Sequence, residues 1–292
     1  MEIGEVELLR TLPREELLTG GHSGMPGYGG TIALRQALKA LGPRTILCIP
    51  ASSLATVIAQ DLMTALRVPL IHSLFECSAV IAAGIKAALE AKGKTDVTVV
   101  SLAGDAGTAD IGFQALSGAA ERNEDIIHIC YDDEAYLNTS GQAGALTPKG
   151  AITTDTPGGK ETPKKDMISI MAAHGVPYVA SASIAFPVDF ISKVRKAREI
   201  KGFRYLHVLA PQPQGWGYPP DQTIRIARMA VDTGLWPLVE IFGGEKRLTY
   251  RSERRTPVRD YIRAQRRFDA ISDEEIDRLQ AALDQEQVQG SE

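Results

Sequence analysis

The polar and apolar positions of this chain alternate between two periods. Short apolar runs at residues 45–49, 69–73, 97–102, 126–131, 177–181 and 205–209 have the length and continuity of strands buried on both faces. Between them, apolar residues recur at helical spacing over 31–41, 54–66, an alanine-rich stretch after Leu74-Phe75-Glu76-Cys77 that runs to Lys92, 110–122, 166–174 and 187–200. Gly42-Pro43 stops the first of these helices. Ser52 or Ser53 suits the N-cap of the second, Asp110 that of the fourth, and Pro187 the first turn of the last. This alternation predicts an α/β fold, a doubly wound, mainly parallel sheet with helices on both faces. Past Pro219 the pattern changes. Residues 223–233 read as a helix, Leu248-Thr249-Tyr250 as an edge strand, and 258–267 and 273–285 as charged helices, the last opened by Ser272 with Glu275 in capping-box spacing. The expected organisation is an α/β domain over residues 1–235 and a helical C-terminal extension, 236–292, that makes subunit contacts.

At 292 residues and 44% hydrophobic content the chain can bury a substantial core. A net charge of −4 gives no reason to expect a nucleic-acid partner. Arg251, Arg254, Arg255 and the arginines from Arg263 to Arg267 are interleaved with Glu253, Asp260 and Asp269, the pattern of a solvated or subunit-facing surface. No 18-residue apolar run suggests a membrane span, and the opening MEIGEVELLRTLPREELLTG lacks the charged-then-apolar layout of a signal peptide. Cys48, Cys77 and Cys130, an odd number in apolar contexts, read as free thiols of a cytoplasmic protein. His174 and His207 read as packing residues.

The chemistry concentrates between Gly104 and Gln142. One apolar run ends in Gly104-Asp105-Ala106-Gly107, and the next empties into Asp132-Asp133-Glu134-Ala135-Tyr136-Leu137-Asn138-Thr139. Parallel strands deliver both loops to one sheet edge, where ligands bind in such folds. A turn of small residues opening a helix lets backbone N–H groups approach phosphate. Asp105 and Asn138 add hard oxygen ligands of the kind Mg2+ takes together with substrate phosphates. The expectation is a diphosphate held through a divalent cation. Residues 143–165, rich in Gly, Thr, Pro and Lys, are too many for an ordinary connection and read as functional or partly mobile. The glycine-rich segment 20–30 reads either as an entry loop or as one shaped by close approach to a cofactor.

These residues also carry a resemblance. GDAGTADIGFQALSGAAERN, ICYDDEAYLNTSGQ, TPKGAITTDTPGGK, KKDM, AAHGVPYVA and HVLAPQPQGWG are similar to the β, thiamine-binding subunit of the 2-oxoacid:ferredoxin oxidoreductases, over nearly the whole chain from around Gly20 to Phe268. The resemblance implies thiamine diphosphate and Mg2+ as cofactors. It implies metal ligands at Asp105, Asp133, Asn138 and the Ala135 backbone carbonyl, with Ser53, Gly104, Ala106, Gly107 and Thr139 also beside the cofactor. Asp133 stands where the family carries Asn or Thr, which keeps a Mg2+ ligand and adds negative charge. Ala106 replaces a glycine, which tests whether that turn needs a positive φ. Glu76, at a helix start, reads either as a dipole-favoured acid or, by resemblance to a Phe-Glu segment of the family, as a residue facing the cofactor and the one candidate catalytic group in this chain.

The glutamate that activates the aminopyrimidine belongs, by the same resemblance, to a separate pyrimidine-domain α subunit. This chain is then catalytically incomplete alone, with γ and ferredoxin-like δ or flavin subunits completing the complex and residues 143–165 covering the active site. Related subunits hold a [4Fe–4S] cluster through four cysteines; the matching positions here are Met25, Tyr28, Ser53 and Gln212, none of them a usual cluster ligand. No iron–sulfur cluster is therefore expected in this chain. The implied reaction is oxidative decarboxylation of a 2-oxoacid to an acyl-CoA, with coenzyme A as acceptor and electrons leaving through other subunits. The alternative is a non-redox thiamine-diphosphate-dependent decarboxylase or carboligase. A non-catalytic scaffold would need neither Asp105 nor Asn138.

Overall fold

Eight strands build one sheet. They are β1 (Thr45–Pro50), β4 (Leu70–Ser73), β5 (Thr98–Gly104), β6 (Ile127–Asp132), β7 (Tyr178–Ser183), β8 (Arg204–Leu209), β9 (Val239–Phe242) and β10 (Glu245–Leu248). A separate antiparallel pair joins β2 (Ala59–Gln60) to β3 (Met63–Thr64). The computed structural model describes residues 10–60, 63–253 and 255–289; residues 1–9, where the N-terminal reading rests, and Arg254 lie outside them. The strand order is β10-β9-β7-β8-β6-β5-β1-β4. The six strands from β7 to the edge strand β4 are parallel, while β9 joins β7 and β10 joins β9 antiparallel. Every residue of β6, β7 and β8 is buried, as continuous apolar runs in a sheet covered on both faces should be.

Two cores explain the covering. On one face, helices Gly29–Leu41 and Pro187–Glu199 pack Leu34, Leu38, Phe190 and Val194 against Leu47, Ile49 and Leu206. On the other, helices Ser78–Ala91, Phe113–Glu121 and Met167–Ala173 bring Ala82, Leu116 and Met171 onto Val99, Cys130 and Tyr205. The chain leaves β1 over the first face and β5 over the second, so the carboxyl ends of these neighbouring strands open a crevice between them. A third core gathers Trp216, Trp236, Val258, Tyr261 and Phe268. Residues 236–292 thus add two strands to the same sheet and pack helices Val258–Arg263 and Asp273–Gln289 against it. No described helix is long and apolar enough to cross a membrane.

Several expected boundaries move. The helix expected over 54–66 ends at Ile58, and the segment that follows turns into the β2–β3 pair, with Asp61 and Leu62 outside the described residues. Thr56, Val57 and Ile58 are β-branched and poor helix formers. Ala65 is also claimed elsewhere, its carbonyl accepting from the Thr19 amide at 2.8 Å and its own amide donating to the Ile58 carbonyl. The helix expected over 110–122 runs from Phe113 to Glu121, and a separate short helix, Asp105–Ala109, precedes it; Asp110 closes that short helix and does not cap the second. The edge strand lies at Glu245–Leu248, earlier than Leu248–Tyr250, because Gly243 and Gly244 (φ 60° and 83°) make a two-residue hairpin turn. The capping box at Ser272 and Glu275 forms: the Glu275 amide donates to Ser272 Oγ (3.2 Å) and the Ser272 amide to Glu275 Oε2 (3.3 Å).

Asp125, just before β6, holds the helix Ser78–Ala91 to β8. It meets Lys86 Nζ at 2.8 Å, Arg204 at 2.5 Å and Lys201 at 3.2 Å. Burial opposes its charge, but these cations outweigh burial and hold the carboxyl down at about 2. Asp125→Ala leaves Arg204 buried without its carboxylate and Lys86 with only the half-exposed Glu90 at 3.5 Å, and is expected to cost about 3 kcal/mol at neutral pH. Because the folded value lies below the unfolded one, this contribution is complete above about pH 4 and disappears as pH falls towards 2. Urea melts of both chains should show their gap closing over that window; a constant gap would remove the charge from the account.

Candidate functional site

Beyond the crevice lies a cavity of about 190 Å3 lined from four strand ends. Ser52 and Ser53 come from β1, Phe75 from β4, Gly104, Asp105, Ala106 and Gly107 from β5, and Tyr131, Asp133, Ala135, Asn138 and Thr139 from β6 and its loop. Every cofactor and metal residue expected from the sequence lines this one cavity. Glu76 does not. It lines a different groove with Ile111, Phe113 and Glu121, and its neighbour Phe75 faces the cavity in its place.

Local structure explains each position. Ser52, not Ser53, caps helix Ser53–Ile58, accepting from the Ala55 amide at 3.2 Å. Ala106 sits in the helical turn Asp105–Ala109 and is not among the residues with positive φ, so alanine fits where the family has glycine. Asp105 is 4% exposed; its Oδ1 accepts from the Ala106 amide at 2.7 Å, while its buried Oδ2 has no hydrogen-bond partner among the described residues. Burial, then the charges of Asp133, Asp132 and Asp110, push the Asp105 carboxyl well up. Asp133, 3% exposed, is pushed up likewise by burial and then by Asp132 and Glu134. Two buried carboxylates whose influential neighbours are acids make a site that wants a cation. Asn138 and Thr139 stand at the exposed rim on the short 3-10 turn Leu137–Thr139, with Asn138 Oδ1 accepting from Thr56 Oγ1 at 3.4 Å. Among the described residues no three His, Cys, Asp or Glu side chains converge as a metal group. The available donors are instead two carboxylates, an amide and a backbone carbonyl, an all-oxygen set that leaves places for phosphate oxygens and water.

Residues outside the expected site hold the Asp133 loop. Glu134 has φ 61°, a left-handed conformation that costs a non-glycine residue about 1–2 kcal/mol. Its amide donates to Asp132 Oδ1 (2.9 Å) and its carbonyl accepts from Thr147 Oγ1 (2.7 Å). Lys164 donates to Asp132 Oδ2 (2.7 Å) and Glu134 Oε1 (2.5 Å), and Arg267 pairs with Glu134 Oε2 at 2.7 Å. His207 Nε2 lies 2.8 Å from Asp132 Oδ2, so this histidine belongs to a polar network and not to simple packing. Trp216 Nε1 donates to the Asp133 carbonyl at 2.7 Å. Residues 143–165 carry Lys164 and are pinned elsewhere by Asp110, whose carboxylate accepts from the Ala145 amide (3.0 Å) and Tyr136 Oη (3.0 Å). The paired lysines of KKDM hint at a role for Lys164; nothing local marks Arg267.

Of the four positions that the resemblance matches to cluster cysteines, Met25 meets Gln212 and Tyr28 meets Ser53. Gln212 Nε2 donates to Met25 Sδ at 3.4 Å while its Oε1 accepts from the Gly215 amide, and Tyr28 is buried beside Ser53 and Tyr131. Met25 and Tyr28 belong to the first core, whereas Cys48 and Cys130 are buried in the second, across the sheet.

Comparison with known proteins agrees with this geometry. The family described as thiamine pyrophosphate enzyme, C-terminal TPP binding domain, matches residues 52–208. The chain is 50% identical over 278 residues to pyruvate synthase subunit PorB of Methanothermobacter thermautotrophicus, spanning 94% of this chain and 96% of that one. It is 43% identical over 293 residues to ketoisovalerate oxidoreductase subunit VorB of Pyrococcus abyssi, spanning 96% and 94%. A solved 2-oxoglutarate:ferredoxin oxidoreductase from Magnetococcus marinus shares the fold, with a TM-score of 0.58 and 20% identity over 70% of this chain and 68% of that one. The chain belongs to the family of the pyruvate synthase PorB and ketoisovalerate oxidoreductase VorB subunits, thiamine-pyrophosphate-binding subunits of 2-oxoacid oxidoreductases.

Proposed function

We propose that this chain binds the diphosphate end of thiamine diphosphate within a cytoplasmic complex that oxidatively decarboxylates a 2-oxoacid to an acyl-CoA. The observation that supports it most is the buried pair Asp105 and Asp133, each pushed up by burial and then by neighbouring acids, with one Asp105 oxygen unpartnered among the described residues. In this reading Asp105, Asp133, Asn138 and the Ala135 carbonyl hold Mg2+, while Ser53, Gly104, Ala106, Gly107 and Thr139 line the diphosphate. Thiamine diphosphate, when bound, supplies a nucleophilic carbon and an electron-accepting ring for loss of CO2. Phe75 and Tyr131 supply aromatic walls to the cavity. The activating glutamate comes from a pyrimidine-domain α subunit, and the C-terminal helices offer further subunit contacts. With Met25, Tyr28, Ser53 and Gln212 at the cluster positions, this chain holds no iron–sulfur cluster, and electrons leave through γ, ferredoxin-like δ or flavin subunits.

Those same four residues favour a second reading, a non-redox decarboxylase or carboligase, in which no electron exit is needed. The native complex, isolated without oxygen, separates the two. Given a 2-oxoacid, thiamine diphosphate, Mg2+ and coenzyme A, the oxidoreductase forms acyl-CoA and passes two electrons to an added acceptor for each acyl-CoA made. Release of CO2 with an aldehyde or a carboligation product, and no reduced acceptor, would establish the second reading.

A further inference from the structure

Asp132, Asp133 and Glu134 are three consecutive buried acids at the end of β6, and the structure divides them unequally. The basic side chains around them go to the outer two. Asp132 takes Lys164 and His207; Glu134 takes Lys164 and Arg267. The middle carboxylate, Asp133, lines the cavity, and the side chains acting on it are the flanking acids. Its backbone is fixed from both sides. The Trp216 indole binds its carbonyl, and the left-handed turn at Glu134 follows directly. Arg267 ties these holds together, since its guanidinium lies 3.4 Å from the centre of the Trp216 ring while it pairs with Glu134. Arg267 is itself 6% exposed, its Nε donates to Gln265 Oε1 at 3.0 Å, and its carbonyl accepts from the Ile152 amide at 2.6 Å.

We propose that Arg267, with Lys164, is a positioning residue for the cation site: it neutralises the acids flanking Asp133 and locks the loop so that Asp133 alone is left facing the cavity. The inference rests on the proposed reading of Asp105 and Asp133 as cation ligands. The C-terminal segment thereby takes part in cofactor binding without touching the cofactor. Buried, hydrogen-bonded supports of this kind set ligand orientation at metal sites.

The test uses the assembled complex and Mn2+ as probe, titrated by electron paramagnetic resonance in the presence of thiamine diphosphate. Arg267→Met is expected to weaken Mn2+ binding by about 10–100-fold, with Arg267→Lys recovering part of the loss and kcat at saturating Mn2+ close to that of the parent. Amide exchange over residues 132–136 should rise in the cofactor-free Arg267→Met complex. Lys164→Met serves as the second variant should Arg267→Met not assemble, with the same loss expected. Unchanged Mn2+ affinity in an assembled variant, even one with a lower melting temperature, would overturn the proposal and leave Arg267 a structural residue. Asp105→Asn is the control. If it alone weakens Mn2+ binding, the clamp is wrong and the ligand reading stands; if it binds Mn2+ like the parent, the ligand reading itself is wrong.

Discussion

Asp105→Asn in the assembled complex is expected to bind thiamine diphosphate with Mg2+ at least about 100-fold more weakly, since outer supports of a metal site are already worth about 10–100-fold and this residue is read as a direct ligand. The substitution is nearly isosteric. An asparagine oxygen can still accept from the Ala106 amide, as Oδ1 does at 2.7 Å. What it loses is the second oxygen, the buried Oδ2 without a hydrogen-bond partner among the described residues, and the charge. The same change should leave the cofactor-free protein as stable as before, or more so. A buried carboxylate surrounded by Asp133, Asp132 and Asp110 is a cost to the fold, and an amide relieves it. Affinity and apo stability therefore move in opposite directions, which a general packing defect would not produce. Equilibrium dialysis and urea melts read the two; undiminished affinity would place the cation somewhere other than Asp105.

Gly112→Ala should carry the largest effect on folding, about 3 kcal/mol or more, at the upper end for overpacking. Gly112 precedes helix Phe113–Glu121, and a methyl there would overlap the carbonyl oxygen of Gly107. Its backbone angles, φ −83° and ψ −4°, suit any residue, so the effect comes from space alone. The obstacle is backbone, which cannot rotate aside as a side chain would. Gly107 lines the cavity, so its displacement should also weaken diphosphate binding, coupling stability to affinity in the direction Asp105→Asn does not. A Gly112→Ala chain with the parent's urea midpoint would mean the two turns stand further apart than described.

Much of this is legible in the sequence, and the reasons are physical. β5 and β6 are continuous apolar runs that stop abruptly at Asp105 and Asp132, and in a parallel sheet both stops must fall on one edge. Local chemistry points to Asp105 and Asn138 as hard oxygen donors in the loops that follow these strands, while Asp133 enters only through the family resemblance. The short helix Ser53–Ile58 reads as too long because the pairing of residues 17–19 with 65–67 is not written in either segment alone. Asp110 looks like a cap, yet its carboxylate anchors Tyr136 and Ala145, and only the folded loop brings those donors to it. The Gly243-Gly244 pair is a hairpin signal in its own right, and it shifts the edge strand from where β-branched and aromatic residues alone would put it. Arg267 is not readable: it looks like one of several surface arginines until Trp216 and Glu134 close around it.

The Glu134–Arg267 ion pair also orders events in time. Synthesis runs from the N-terminus, and early segments can fold before later ones are made. Every strand from β1 to β10 is translated before Arg267, so the sheet and Asp105 can be in place while Glu134 still lacks its C-terminal counter-charge. A nascent or clipped polypeptide ending before Arg267 would carry the mouth of the site with its loop only half tied. Under the proposed clamp, a segment made after the whole sheet is needed before the loop at Asp133 is fully tied.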